Sequence, residues 1–140
     1  HSRDSIGVFP RLIEMDIKSG LVSSAITAVL YQRLVRKLCP HCKIEIKPDK
    51  DTVKNMKYDG NLYTSTGCIH CSGTKYSGRT AIFELLTVDE IICDMITKNV
   101  PYREIHDYCR EKNMKFLREN AMEKVYNGIT DMDEILRVCP

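Results

Sequence analysis

The chain has 140 residues, with 21 Lys and Arg against 19 Asp and Glu, seven Cys and 43% hydrophobic residues. That length suits one domain, or a core with a small appendage. A net charge of +2 is not a nucleic-acid-binding composition, and no run of 18 apolar residues is present to span a membrane. The opening His1-Ser2-Arg3-Asp4 is polar and unlike a signal peptide. With no initiator Met, it reads as a piece of a longer protein, with His1-Ser2 as a native start or a cloning remnant. Nothing suggests secretion, so the thiols read as reduced, in a cytosol.

In chain order, residues 4–15 read as a helix with Val8, Leu12 and Met15 on its apolar face. Asp4 or Ser5 would cap it, and Pro10 falls where a first turn tolerates proline. After Ser19-Gly20, residues 21–38 (LVSSAITAVLYQRLVRKL) follow a 3.6-residue period through Leu21, Ala25, Ala28 or Val29, Gln32, Val35 and Leu38. They predict a long helix that Pro40 ends. Residues 39–75 predict turns and short strands, with a brief helix near 49–57. Residues 79–86 (RTAIFELL) predict a strand, because Ile82 and Phe83 suit a pleated surface. Helices are expected near 88–98, 101–112, 115–127 and 131–138. Pro101 would sit in a first turn, Gly128 at a C-cap, and Thr130 or Asp131 at the last N-cap. The fold class is thus α+β, mostly helical, in three parts: 1–38, 39–75 and 76–140.

Charge is unevenly spread. Residues 31–57 hold eight Lys/Arg against three Asp/Glu, a net of +5, and residues 84–140 hold eight against twelve, a net of −4. The split suits head-to-tail contact between copies or an acidic partner; two solvated faces are the plainer alternative.

The clearest chemistry is Cys39-Pro40-His41-Cys42 with Cys68-Ile69-His70-Cys71. Two thiolates three residues apart on a tight turn chelate one face of a tetrahedral ion, and a second pair closes the other face. The gap of 25 residues between the pairs exceeds the usual spacing but fits a ribbon-like insert. Such a segment has few large apolar groups to bury. Bound zinc supplies about 10–16 kcal/mol of apparent free energy at neutral pH. Four thiolates leave no open position, so the site is expected to be structural. Arg36, Lys37, Lys43 and Lys75 could offset its negative charge. Four thiols without metal, or a redox pair, are the alternatives. His41 and His70 could each replace a cysteine but are read as lying outside the ligand set. Cys93, Cys109 and Cys139 fall in helical patterns and read as small core or edge residues.

The stretch GTKYSGRT at 73–80 imitates a phosphate-binding loop, G-x-x-x-x-G-K-[ST], with Arg79 in place of Lys. Such a loop follows a strand and opens a helix. Here it follows a cysteine pair and precedes a strand, so Gly73 and Gly78 read as turn residues.

Residues 32–42 (QRLVRKLCPHC), together with Gly67 to Leu86 (GCIHCSGTKYSGRTAIFELL), closely resemble the C-terminal part of the hexameric secretion ATPases. These are the type II secretion ATPase, general secretory protein E, and the type IV pilus assembly ATPase. Residues 128–138 (GITDMDEILRV) look like the end of that family's proteins. His1 to Ser5 are similar to its histidine box, and Arg11 to Met15 match the helix after it. Ser2 and Asp16 stand where Thr and Gly are usual, and the likeness is weakest over 44–62. The resemblance implies the end of a RecA-like core, a tetracysteine zinc subdomain and a C-terminal helical region. It implies ATP and magnesium sites in the parent protein only, since the phosphate loop and acidic metal motif of the family are not among these residues. It implies neighbouring subunits and inner-membrane platform proteins as partners, no nucleic acid, and a cytoplasmic location at the inner face of the membrane. His1 would correspond to a histidine facing the γ-phosphate. Arg33, Arg79 and Glu84 would make core or subunit contacts, with ordinary salt bridging as the alternative. Two other readings are a stand-alone zinc ribbon that binds nucleic acid or protein, with Tyr58, Tyr63 and Tyr76 available for stacking, and a J-protein-type zinc finger. The latter needs four C-x-x-C-x-G repeats, and Lys75 replaces its second glycine.

Overall fold

Residues 21–38 are not one helix. In the computed structural model, which describes residues 2–48, 58 and 60–139, a short helix α2 covers Ser19–Ala25 and a strand β1 covers Ala28–Leu38. The apparent helical period came from a strand with apolar residues on both faces. Val29, Tyr31 and Val35 are more covered than their neighbours Leu30, Gln32 and Leu34, an alternation of period two. The deciding partner lies some fifty residues downstream. Strand β4, Tyr76–Thr87, pairs with β1, and the resulting ladder overrides local preference. The pairing is antiparallel. The Val88 amide donates to the Thr27 carbonyl at one end, and the Cys39 amide donates to the Lys75 carbonyl at the other, both at 2.9 Å.

Between these long strands lie β2, Lys43–Ile46, and β3, Leu62–Ser65. They pair antiparallel, with Lys43 opposite Ser65 and Ile46 opposite Leu62. The expected helix near 49–57 lies outside the described residues. The first helix, α1, covers Val8–Glu14. It begins later than expected and buries Phe9, while Met15 is 60% exposed. Asp4 serves the approach and not a cap, its carboxylate accepting the Gly7 amide at 2.7 Å. The later helices are α3 (Glu90–Thr97), α4 (Tyr102–Glu111), α5 (Leu117–Tyr126) and α6 (Met132–Val138). Among the described residues the fold is therefore a mixture of six helices and four strands, with one expected helix replaced by β1. No helix of the described residues is long and apolar enough to cross a membrane.

The chain divides into two compact units, residues 1–32 with 83–117, and residues 33–82 with 118–140. The first is held by Ile6, Phe9, Val22, Leu86, Ile92, Ile96, Ile105 and Cys109. Each large member contributes about 1.5–3 kcal/mol by burial. Glu84 is buried here, where its carboxylate accepts the Ser5 amide at 2.6 Å and the Leu117 amide at 2.9 Å. These are backbone donors within the core, and not the salt bridge named as the alternative. The second unit buries Val35, Leu38, Leu62, Ile82, Ala121, Val125, Ile135 and Val138. Thr130, Asp131, Glu134 and two of the cysteines are buried with them.

Candidate metal centre

Two ladders bring the cysteine pairs together. Cys39 follows the last residue of β1, and its amide bonds to Lys75 at the foot of β4. Cys42 immediately precedes β2, and its carbonyl accepts the Thr66 amide just beyond β3 at 3.2 Å. The first pair is thereby fixed beside the second on both sides. The second pair sits on a 3-10 turn, Ile69–Cys71. The Gly73 amide closes this turn on the Cys68 carbonyl at 2.9 Å. Gly67 enters the turn at φ +90, and a Cβ there would meet the Gly73 carbonyl oxygen at 2.9 Å, so the close approach requires glycine.

The Cys39 and Cys68 sulfurs are 3.9 Å apart, Cys42 and Cys71 3.8 Å, and Cys68 and Cys71 3.9 Å. All four Sγ atoms lie within 4.8 Å of one another. Zinc–sulfur bonds of about 2.3 Å in a tetrahedron place the sulfurs about 3.8 Å apart. A disulfide needs about 2.05 Å. The donor set and its spacing therefore fit one tetrahedral thiolate-bound ion. Backbone donors favour the charged form of one ligand: the Cys68 amide, 3.2 Å from the Cys71 sulfur, leads the effects that bring that thiol down to about 6. Burial, with the neighbouring thiols, pushes Cys42 up to about 11. A cation that takes all four as thiolates removes that second obstacle by direct coordination.

His41 and His70 are exposed and stack on each other at 4.1 Å, tying the two turns together outside the sulfur cluster. Ile69, which precedes His70 in the second turn, is 88% exposed. Arg36, expected to offset the thiolate charge, is committed elsewhere. Its guanidinium binds Glu134 at 2.6 Å and lies 4.0 Å over the Tyr76 ring. Lys43 donates to the Gly128 carbonyl at 3.2 Å.

Sequence reasoning missed Glu134. This side chain is 0% exposed and accepts bonds from the Arg36 amide (2.8 Å), the Arg36 guanidinium and the Arg137 guanidinium. The only advance signal is its position three residues after Asp131, the N-cap whose carboxylate accepts the Glu134 amide at 3.0 Å. Burial alone would raise the Glu134 carboxyl, but the two arginines hold it down at about 2.

The remaining candidates are scattered. Arg33 donates to the Val138 carbonyl, and Arg79 is exposed on β4. Cys109 is buried, Cys93 gives its thiol hydrogen to the Ser23 carbonyl at 3.2 Å, and Cys139 ends α6. His1 lies outside the described residues. The imitation phosphate loop leaves the second cysteine turn and enters β4 with no helix behind it. Gly78 is thus inside a strand, at φ +74, and not in a turn. Tyr58 stacks on Tyr126 at 3.9 Å, Tyr63 faces Lys43, and the Tyr76 hydroxyl donates to Asp131 at 2.9 Å. Each ring offered for base stacking already has an intramolecular partner.

Residues 1–137 match the family model described as "Type II/IV secretion system protein". The chain is 41% identical, over 97% of its length, to the type IV pilus assembly ATPase PilB of Thermus thermophilus, covering 16% of that protein. It is 37% identical over 99% of its length to the type II secretion system ATPase E of Vibrio cholerae, covering 28%. It is 30% identical over its whole length to the type IV pilus assembly ATPase TfpB of Acinetobacter baylyi, covering 25%. The chain thus spans less than a third of the length of these curated relatives. By a family match over nearly all of its residues, the chain belongs to the type II/IV secretion system proteins.

Proposed function

We propose that this chain is the C-terminal part of a hexameric motor ATPase that powers type II secretion or type IV pilus assembly, in which Cys39, Cys42, Cys68 and Cys71 hold one structural zinc ion. The observation that carries the reading is four sulfurs at tetrahedral spacing in a chain of this family. Zinc would supply a cross-link and no reactive position, since four protein ligands close its coordination. What the chain's own residues do is hold that cross-link. The paired strands align the thiols, and the amide of Cys68 favours the Cys71 thiolate. Among the described residues of 39–75, Leu62 is the one buried aliphatic side chain, which supports a need for such a staple.

ATP and magnesium would bind to other parts of the parent protein, because no phosphate loop with its lysine occurs in these residues. The fragment would add contacts to neighbouring subunits and to membrane platform proteins on the cytoplasmic side. The basic stretch that follows Gln32 is the candidate surface. Lys43 has an internal partner, so the clean probes are Lys37 and Lys47. Reversing both charges in the full-length protein should slow assembly or partner binding at low salt, and unchanged assembly and binding would reject this surface. Metal analysis of protein purified without chelator tests the site. One zinc per chain is expected, and a content near zero with an intact fold refutes it.

A further inference from the structure

The tetracysteine cluster is clamped from outside by residues that touch no sulfur, and five of them, Gly128, Ile129, Thr130, Asp131 and Glu134, come from one stretch, 128–138. Its contacts lie on both sides of the first cysteine pair and on the far side of the second. Before Cys39, the Glu134 carboxylate takes the Arg36 amide at 2.8 Å and its guanidinium at 2.6 and 2.9 Å. The Thr130 hydroxyl donates to the Arg36 carbonyl at 2.8 Å, and the Ile129 carbonyl accepts the Leu38 amide at 2.9 Å. After Cys42, Lys43 donates to the Gly128 carbonyl. After Cys71, the Tyr76 hydroxyl donates to Asp131, the residue that caps the helix bearing Glu134. Arg36 closes the circuit by lying over the Tyr76 ring.

We propose that Glu134 is the positioning residue of the metal site, fixing the backbone that presents Cys39 so that the four thiols stand assembled before the ion arrives. This rests on the zinc reading above and deepens it. Metal affinity is the intrinsic affinity of four thiolates less the cost of ordering them. A buried carboxylate with five donors on it holds a single geometry, because any departure strands a charge away from water. Thr130 and Glu134 together grip Arg36 by its carbonyl, its amide and its side chain, three residues from the first ligand. By reciprocity, an ion in the site should also stiffen 128–138.

The test uses the full-length protein without nucleotide, titrated with Co²⁺ against a competing chelator and read by the thiolate-to-cobalt absorption. Three variants are compared with the parent: Glu134→Gln, Thr130→Val and Ile135→Ala. Ile135 is buried on the same helix but makes no polar contact with the cysteine turns. It controls for simple loss of stability. Glu134→Gln should weaken Co²⁺ about 10-fold or more, the scale of losing an outer hydrogen-bonded support, with the saturated spectrum unchanged. Thr130→Val removes one neutral hydrogen bond, should weaken it about 3-fold, and keeps the proposal testable if the glutamine variant folds poorly. Ile135→Ala should lower the melting temperature with affinity near that of the parent. Should both polar variants keep parental affinity, or should all three lose affinity in proportion to stability, Glu134 has no positioning role. A parent protein that gives no tetrathiolate cobalt spectrum would instead remove the zinc reading itself, and this inference with it.

Discussion

The Glu134 carboxylate accepts both the backbone amide and the side chain of Arg36, a residue 98 positions earlier. One buried acid thereby joins the last helix to the strand that enters the metal site. Its carboxyl stands at about 2 against an ordinary 4.5. A depressed acid adds stability that is whole above its unfolded value and is lost as pH falls toward the folded one. The advantage of the parent over Glu134→Gln in thermal melts should therefore be full at pH 7 and shrink between about pH 4.5 and 2. The gap between the two proteins is the readout, since acid also releases metal from thiolates in both. A gap independent of pH contradicts the assignment.

Cys39→Ser should remove one ligand and leave a site with three thiolates. Amide hydrogen exchange should then speed first in residues 39–75, with α3 and α4 retaining protection at least as long, because their burial does not depend on the ion. Uniform loss of protection across the chain would show that the metal holds more than its own unit.

Gly67 and Gly73 both have positive φ, but only Gly67 is crowded. Gly73→Ala should cost about 1 kcal/mol for the left-handed backbone alone. Gly67→Ala adds a clash with the Gly73 carbonyl and should cost roughly 2–3 kcal/mol, with strain of this kind stored at the turn. Chemical denaturation of the two variants would distinguish them, and equal losses would mean that the turn opens easily.

Millimolar ATP should leave the melting temperature of this 140-residue chain unchanged, because a ligand stabilises only through binding to the native state. Differential scanning fluorimetry decides the point. A rise of several degrees would reopen the case for Arg79 and the loop at 73–80.

The helices after residue 88 are legible in the sequence because each carries its own punctuation. Asp89 accepts the Ile92 amide at 3.0 Å, Asp131 accepts the Glu134 amide, and Gly128 ends α5 at φ +63. The cysteine pairs are legible for a similar reason: the spacing is local, and the chemistry of four thiolates admits few uses. β1 is not. Leu30 and Leu34 lie exposed on one face, and Val29 and Val35 are more covered on the other. In projection such a strand imitates an apolar helical stripe. Its identity is fixed by a ladder to β4 that no window of 18 residues contains. Glu134 was hidden for the same reason. A glutamate three residues after an N-cap looks like ordinary helix-end electrostatics, and its partner Arg36 is far away in the chain.

The second unit is built from 33–82 and 118–140, and that division sets an order of events during synthesis. Both cysteine pairs leave the ribosome about sixty residues ahead of Glu134. At 5–20 residues per second the interval is roughly 3–12 s. For that time the nascent chain presents four thiols with their strands available but their clamp unwritten. An ion captured early would be held loosely and exchanged, and one captured after the last helix docks would be retained. The ribosome's pace, and whatever delivers metal to the emerging chain, would then influence which ion the finished protein carries.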